Sequence, residues 1–322
     1  MADLTVNAGG GAMYTTVAAA VAAAGTADWV VLQSDVTESI TFYKNIAGIK
    51  SSVVGTRRKW SGTSGAPAWT INGAMSAFME VVDIWFAGYG GTGQQPAVDL
   101  NATTNGQQVK FTRCRFSVQN QYQYTPCFLI EPQGLNTDNI WMYRCLIDGT
   151  NAYRGVHLVS SSSSYAVRLE NTVIQYAAYG VDIAGTYSSP VLKMTGCTVV
   201  KCNTPFRSSI KTEIRNSLFV DGSVACVLSG SASSSDFQYC GFSYDTNTAN
   251  GCQTGLFSAA LFTDPANSDW SLKAGSSIID TCSNLLTDDV IGTARPQGTA
   301  SDMGAYEYIP VAAIARRRVI LS

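Results

Sequence analysis

Six segments of this chain repeat one short pattern, and few folds accept it. Phe111 to Phe116, Met142 to Ile147, Leu169 to Ile174, Met194 to Val199, Ile214 to Phe219 and Phe237 to Phe242 each read apolar, any, turn residue, small residue, any, apolar. Successive starts are 31, 27, 25, 20 and 23 residues apart. Periods of about 20–50 residues mark solenoids and arrays. The irregular spacing and the lack of amphipathic helices between the segments argue against leucine-rich repeats. A constant rung joined by loops of variable length remains: an all-β, single right-handed parallel β-helix whose coils stack at about 4.8 Å.

Side-chain parity locates a bend inside each rung. Alternation puts the fourth and sixth residues on one face, as with Cys114 and Phe116. The first residue, three before the fourth, reaches that face only if the chain turns between them. The third position supplies the turn: Asn171, Gly196 and Asn216 tolerate left-handed backbone, while Arg113, Arg144 and Tyr239 suit it less well. The fourth positions, Cys114, Cys145, Thr172, Cys197, Ser217 and Cys240, then form a core ladder. Thr and Ser at two rungs point to a crowded site for small side chains rather than to reactive thiols.

The ends need covers, because an open coil exposes core and strand edges. Tyr14 to Ala24 predicts a capping helix before the strand beginning Asp28-Trp-Val-Val-Leu. At the other end stand Asp269, Leu272, Gly275, Ser276, Ile279 and Asp280, then Arg295 to Gly298, Asp302, Gly304, Ala305 and Glu307. This segment resembles the C-terminal closing region of pectin-lyase-like right-handed β-helix proteins, with their D-x-x-L-x-x-G-S-x-x-I-D stretch and R-P-Q-G … D-x-G-A-x-E ending. The resemblance implies the fold and no particular activity, since that architecture carries lyases, hydrolases, adhesins and viral structural proteins. Arg295, Asp302 and Glu307 are expected to be capping partners. The resulting organisation is one β-helix over residues 1–310, with the N-terminal cap and first coil in 1–50, coils over about 51–255 and the closing region in 256–310. A basic and apolar tail spans 311–322 and holds Arg316, Arg317 and Arg318.

Catalytic motifs are scarce. Candidate carboxylates for glycoside hydrolysis, which needs two in one groove, are Asp148, Glu170, Asp182, Glu213, Asp221 and Asp245. Asp148-Gly149 and Asp221-Gly222 follow rungs and read as turns. Glu170, Lys193, Glu213 and Arg215 read as an outward charge ladder across successive coils. His157, the single histidine, has Arg154 nearby but no triad motif. No metal site or cofactor is expected: the nine cysteines include no CxxC pair. Without Arg316–Arg318 the chain carries eighteen basic and twenty-three acidic residues, which argues against nucleic acid. No apolar run reaches the length of a membrane span.

After the bend, Leu146, Val173, Val200, Leu218 and Val220 point outward. Two readings stand: loops of the same chain cover the stripe, or its β-branched residues simply favour strands; alternatively an exposed apolar stripe marks a subunit contact and a homo-oligomer, a trimer among the options. A start without a basic n-region predicts no signal peptide and reduced thiols in a cytoplasm. Together these features favour a non-enzymatic structural protein of a bacteriophage particle, assembled in host cytoplasm as capsid decoration, cement or tail-associated component beside the major capsid protein. Trp60 to Gly93 and the tail would be its docking elements. The alternative is a tailspike-like protein that binds or cleaves a glycan, with Tyr122, Tyr124, Tyr176, Tyr179 and Tyr187 as stacking platforms.

Overall fold

The computed structural model describes residues 1–73, 77–88, 95–100, 108–119, 125–131, 139–160, 166–185, 192–230, 232–233, 236–245 and 249–310. Within them the chain winds as a right-handed parallel β-helix of three sheets with ten, nine and eight strands. One coil illustrates the rest. Asn139–Tyr143 lies in the first sheet, Leu146–Asp148 in the second and Arg154–Ser160 in the third. The chain then returns to the first sheet at Ala166–Glu170, in parallel register on Asn139–Tyr143.

The repeat sets that register. Its first positions stack as Phe111, Met142, Leu169, Met194, Ile214 and Phe237. Its sixth positions stack as Phe116, Ile147, Ile174, Val199, Phe219 and Phe242. Both columns face the core, because the third position turns the chain between them. All six third positions have positive φ, including Arg113 (54°), Arg144 (56°) and Tyr239 (51°), and Asp83 (57°) continues the series one coil earlier. Left-handed backbone costs a non-glycine residue about 1–2 kcal/mol, and side-chain contacts offset it. Arg113 donates to both carboxylate oxygens of Asp83 at 2.9 and 2.7 Å, so one bend residue clamps the next. The bend amides are also paired: those of Arg113, Arg144 and Asn171 donate to Tyr143, Glu170 and Thr195 carbonyls one coil on. Asn216→Ala should cost about 2 kcal/mol, since it loses left-handed tolerance and the Nδ2 bond to the Ser283 carbonyl at 2.7 Å. Asn216→Gly should lose only the second part, and urea unfolding of the two variants separates them.

The fourth positions are fully buried. Small size is half of what they share. Each also donates to the carbonyl two residues before it: Cys114 to Thr112, Cys145 to Tyr143, Thr172 to Glu170, Cys197 to Thr195, Ser217 to Arg215 and Cys240 to Gln238. Thiol and hydroxyl therefore interchange because both are small donors beneath the bend. All nine cysteines are free thiols.

The N-terminal helix spans Val17–Ala23, shorter than the sequence suggested at its start. Tyr14 pairs with Val6 as an extended bridge, and Thr16 is the N-cap, accepting from the Ala19 amide. Glu38, from the first coil, accepts from the Val17 and Ala18 amides at 2.8 Å each and fixes the helix over the open end. Trp60 and Trp69, within the segment expected to dock elsewhere, are instead fully buried and stack at 6.2 Å inside the solenoid.

The closing segment does more than cover the last rung. It folds back along the outer face of the second sheet and makes a second apolar core with it. Val173, Val200, Leu218 and Val220 are buried there against Leu261, Phe262, Trp270, Ile278 and Met303, and Leu146 packs at the edge. This corrects the expectation of a subunit contact at Leu146, Val173, Val200, Leu218 and Val220: alternation sends these side chains out of the solenoid, but the same chain covers them. Polar contacts fix the docking. Trp270 Nε1 donates to Gln175 Oε1 at 2.7 Å, and the Ala305 amide donates to Thr198 Oγ1 at 2.9 Å. Gly304, at φ 95°, lies so close to the sheet that a Cβ would meet Leu218 Cδ1 at 2.6 Å. Arg316–Arg318 lie outside the described residues.

The cap residues cluster. Arg295 lies against Glu307 (Nη1 to Oε2, 3.3 Å) and donates to the carbonyls of Asp288, Asp302 and Gly304 at 3.0, 2.7 and 2.7 Å. Glu307 accepts from the Gln297 and Asp302 amides, and the Asp302 carboxylate from those of Asp280 and Tyr308. Asp302 meets Arg295 through its backbone carbonyl rather than its carboxylate.

Candidate functional site

Outward positions on the first sheet meet the closing segment in a concave groove. Val109, Phe111, Ile140, Met142, Val167 and Leu169 point into the core, so Lys110, Trp141, Tyr143 and Glu170 between and beside them point out. Leu285, Leu286, Thr287 and Asp288 form the opposite wall, and the space enclosed is about 290 Å³. That is at the lower limit of small-ligand sites, which start at about 300 Å³.

The aromatic and charged groups of the groove are mutually oriented. Lys110 Nζ lies 4.4 Å from the Trp141 ring centroid and 5.3 Å from that of Tyr143. The two rings are 6.0 Å apart. Trp141 Nε1 donates to Glu170 Oε2 at 3.0 Å. Burial raises the Glu170 pKa despite that bond, which favours the charged form. Tyr143 donates to Asp288 at 2.5 Å, and burial followed by that carboxylate pushes the phenol up to about 12. Asp288 is otherwise occupied: Arg144 forms an ion pair with it, and Asn171 Nδ2 donates to its Oδ1 at 3.2 Å and its carbonyl at 2.7 Å. Asp288 thus pins the wall to the sheet, leaving Glu170 as the lining carboxyl not tied by cations.

The candidate carboxylates are spread over all three sheets. Glu170 and Glu213 are on the first sheet, Asp148 on the second and Asp182 on the third. Asp148 pairs with Arg115 at 2.5 Å and accepts from Thr150, and Asp221 accepts from the Ser258 amide at 3.0 Å, both at turns. Lys193, Glu213 and Arg215 form the expected charge ladder, with contacts of 3.0 and 3.1 Å. Glu170 is not part of it, because Lys193 stacks on Arg168 and Glu170 on Thr195. Tyr122, Tyr124 and Tyr187 lie outside the described residues. Tyr176 is tied into the closing region through Ser268 at 2.6 Å. Tyr179 stacks beneath Arg207, 4.2 Å from its centroid. Among the described residues no cluster of three His, Cys, Asp or Glu side chains could hold a metal ion. None of their helices is long and apolar enough to cross a membrane.

His157 sits on the third sheet beside a charge cluster. Asp182 is held by Arg154 at 2.5 Å and by Arg207 at 2.6 and 2.7 Å, and His157 Nε2 lies 3.8 Å from it. Burial, then Arg154, lower the imidazole from 6.5 to about 4, with Asp182 opposing. Below pH 6.5 the unfolded chain therefore binds a proton that the fold does not. Stability should fall by on the order of 2–3 kcal/mol between pH 6.5 and about 4. Urea unfolding of His157→Gln should show a correspondingly shallower fall over that window, and an unchanged slope would remove His157 as the cause.

No family model matches the chain, and no curated protein matches it. Among solved structures the pectate lyase Pel9A is similar, with a TM-score of 0.48 and 12% identity over 95% of this chain and 96% of that one.

Proposed function

We propose that this β-helix is a glycan-binding protein whose binding site is the groove between the first sheet and residues 285–288. The observation that carries this reading is the Trp141 ring, half-buried on its support with Lys110 and Glu170 beside it. A sugar ring offers an apolar face and a rim of hydroxyls; an aromatic face takes the first and flanking charged groups take the second. The groove runs across coils stacked at a fixed interval, which suits a chain of similar units. Binding without cleavage fits best, because Asp288 is committed to Tyr143, Arg144 and Asn171 and a hydrolase of the usual kind needs two working carboxyls. With the apolar stripe inside the fold, that stripe no longer supports the particle-component reading. A groove of this kind could still serve a protein carried on a virus particle. The test is titration calorimetry of the full chain against a panel of oligosaccharides, with chain length of the glycan followed in parallel. Saturable binding that Trp141→Ala weakens is expected, and failure of every glycan to bind, or equal binding by the variant, overturns the reading.

A further inference from the structure

The small-residue ladder has one more rung than the six-residue pattern shows. Gly241 bridges Gln253 in parallel, and the Gln253 amide donates to the Cys240 carbonyl at 2.8 Å. Cys252 therefore stands one rung above Cys240. Gly251, at φ 75°, precedes it as the bend residues precede the other rungs. Adjacent parallel strands place such residues about 4.8 Å apart, within the Cα separations of about 4.4–6.8 Å that a disulfide spans.

We propose that Cys240 and Cys252 are a dithiol that low-molecular-weight disulfides convert into an intrachain disulfide, stapling the last rung to the solenoid. This inference is independent of the glycan reading. Exposure separates this pair from Cys114 and Cys145, which also occupy successive rungs. Those two are completely buried, with rungs on both sides, whereas Cys252 is 7% exposed at the end of the stack. The neighbouring Cys240 thiol lowers the Cys252 pKa, while burial raises that of Cys240. Cys252 is thus the attacking group and Cys240 the resolving one.

The exchange balances. The Cys252 thiolate attacks one sulfur of the small disulfide; that S–S bond breaks and one small thiolate leaves. Cys240 then attacks the Cys252 sulfur of the mixed disulfide, its proton passing to the second small thiolate as it is expelled. Two protein thiols are oxidised to one disulfide, and the reagent is reduced to two thiols.

The experiment treats the reduced, folded full chain with graded oxidised glutathione, blocks the remaining thiols by alkylation and maps linked peptides by mass spectrometry. A link between Cys240 and Cys252 should form first, with Cys114 and Cys145 still reduced. Cys240→Ser should stop the reaction at a glutathione adduct on Cys252, and Cys252→Ser should abolish the link. Absence of any link in the wild-type chain, or earlier reaction at Cys226 or at the Cys114 and Cys145 pair, overturns the proposal. The wild-type map decides this alone should a variant fail to fold.

Discussion

Replacing Arg295 with alanine should raise the opening equilibrium of the closing segment roughly 150- to 5,000-fold, the equivalent of about 3–5 kcal/mol for one partner removed from a buried ion pair. The Arg295 and Glu307 side chains are 2% and 0% exposed, so removing the guanidinium leaves a carboxylate without its countercharge. Three carbonyls also lose their donor. Hydrogen exchange of amides in residues 262–308 measures the opening directly. Because Asp288 carries both an Arg295 contact and the groove wall, glycan binding should weaken in the same variant. A double replacement, Arg295→Met with Glu307→Leu, should be milder than Arg295→Ala, since neither charge is then stranded. Exchange that changes less than tenfold in Arg295→Ala would show that the cap is held by its apolar contacts alone.

Loss of the Trp141 ring should weaken glycan binding about 30-fold, corresponding to about 2 kcal/mol of stacked aromatic surface. Trp141 points out of the solenoid while Ile140 and Met142 beside it fill the core, so Trp141→Ala should leave thermal stability nearly unchanged. Trp141→Phe keeps a face for the sugar but not the Nε1 bond to Glu170, and should retain most of the affinity. Calorimetry on the three proteins separates the ring from its hydrogen bond. Similar affinity in wild type and Trp141→Ala would move the site elsewhere.

The coils were legible because each rung carries its own geometry. The step of three positions from Phe111 to Cys114 forced a bend, and the bend is there in all six rungs, even at Arg113 and Arg144, where ion pairs with Asp83 and Asp288 hold an unfavourable backbone. Local parity also identified the outward side chains. It could not say what would lie over them. The contacts that cover Val173 and Leu218 come from the far end of the chain, as with Ala305 on Thr198, 107 residues apart. The groove was hidden for the same reason: Lys110, Trp141 and Glu170 are read from one strand pattern, but Asp288 reaches Tyr143 across 145 residues. Rung spacing alone does not settle which outward positions align, and the register sets Glu170 on Thr195 and apart from the Lys193 ladder. Cys252 falls outside the six-residue pattern because its rung follows Cys240 after a short return rather than a full coil.

The backfolded closing segment also orders events in time. A solenoid of this kind can grow coil by coil as the chain is made, each rung templated by the one before. Val173, Val200, Leu218 and Val220 then stay wet on the nascent stack until residues 262–308 arrive. Every unfinished chain thus presents a sticky flank, and quality control that grips exposed apolar surface has a built-in marker of incomplete synthesis.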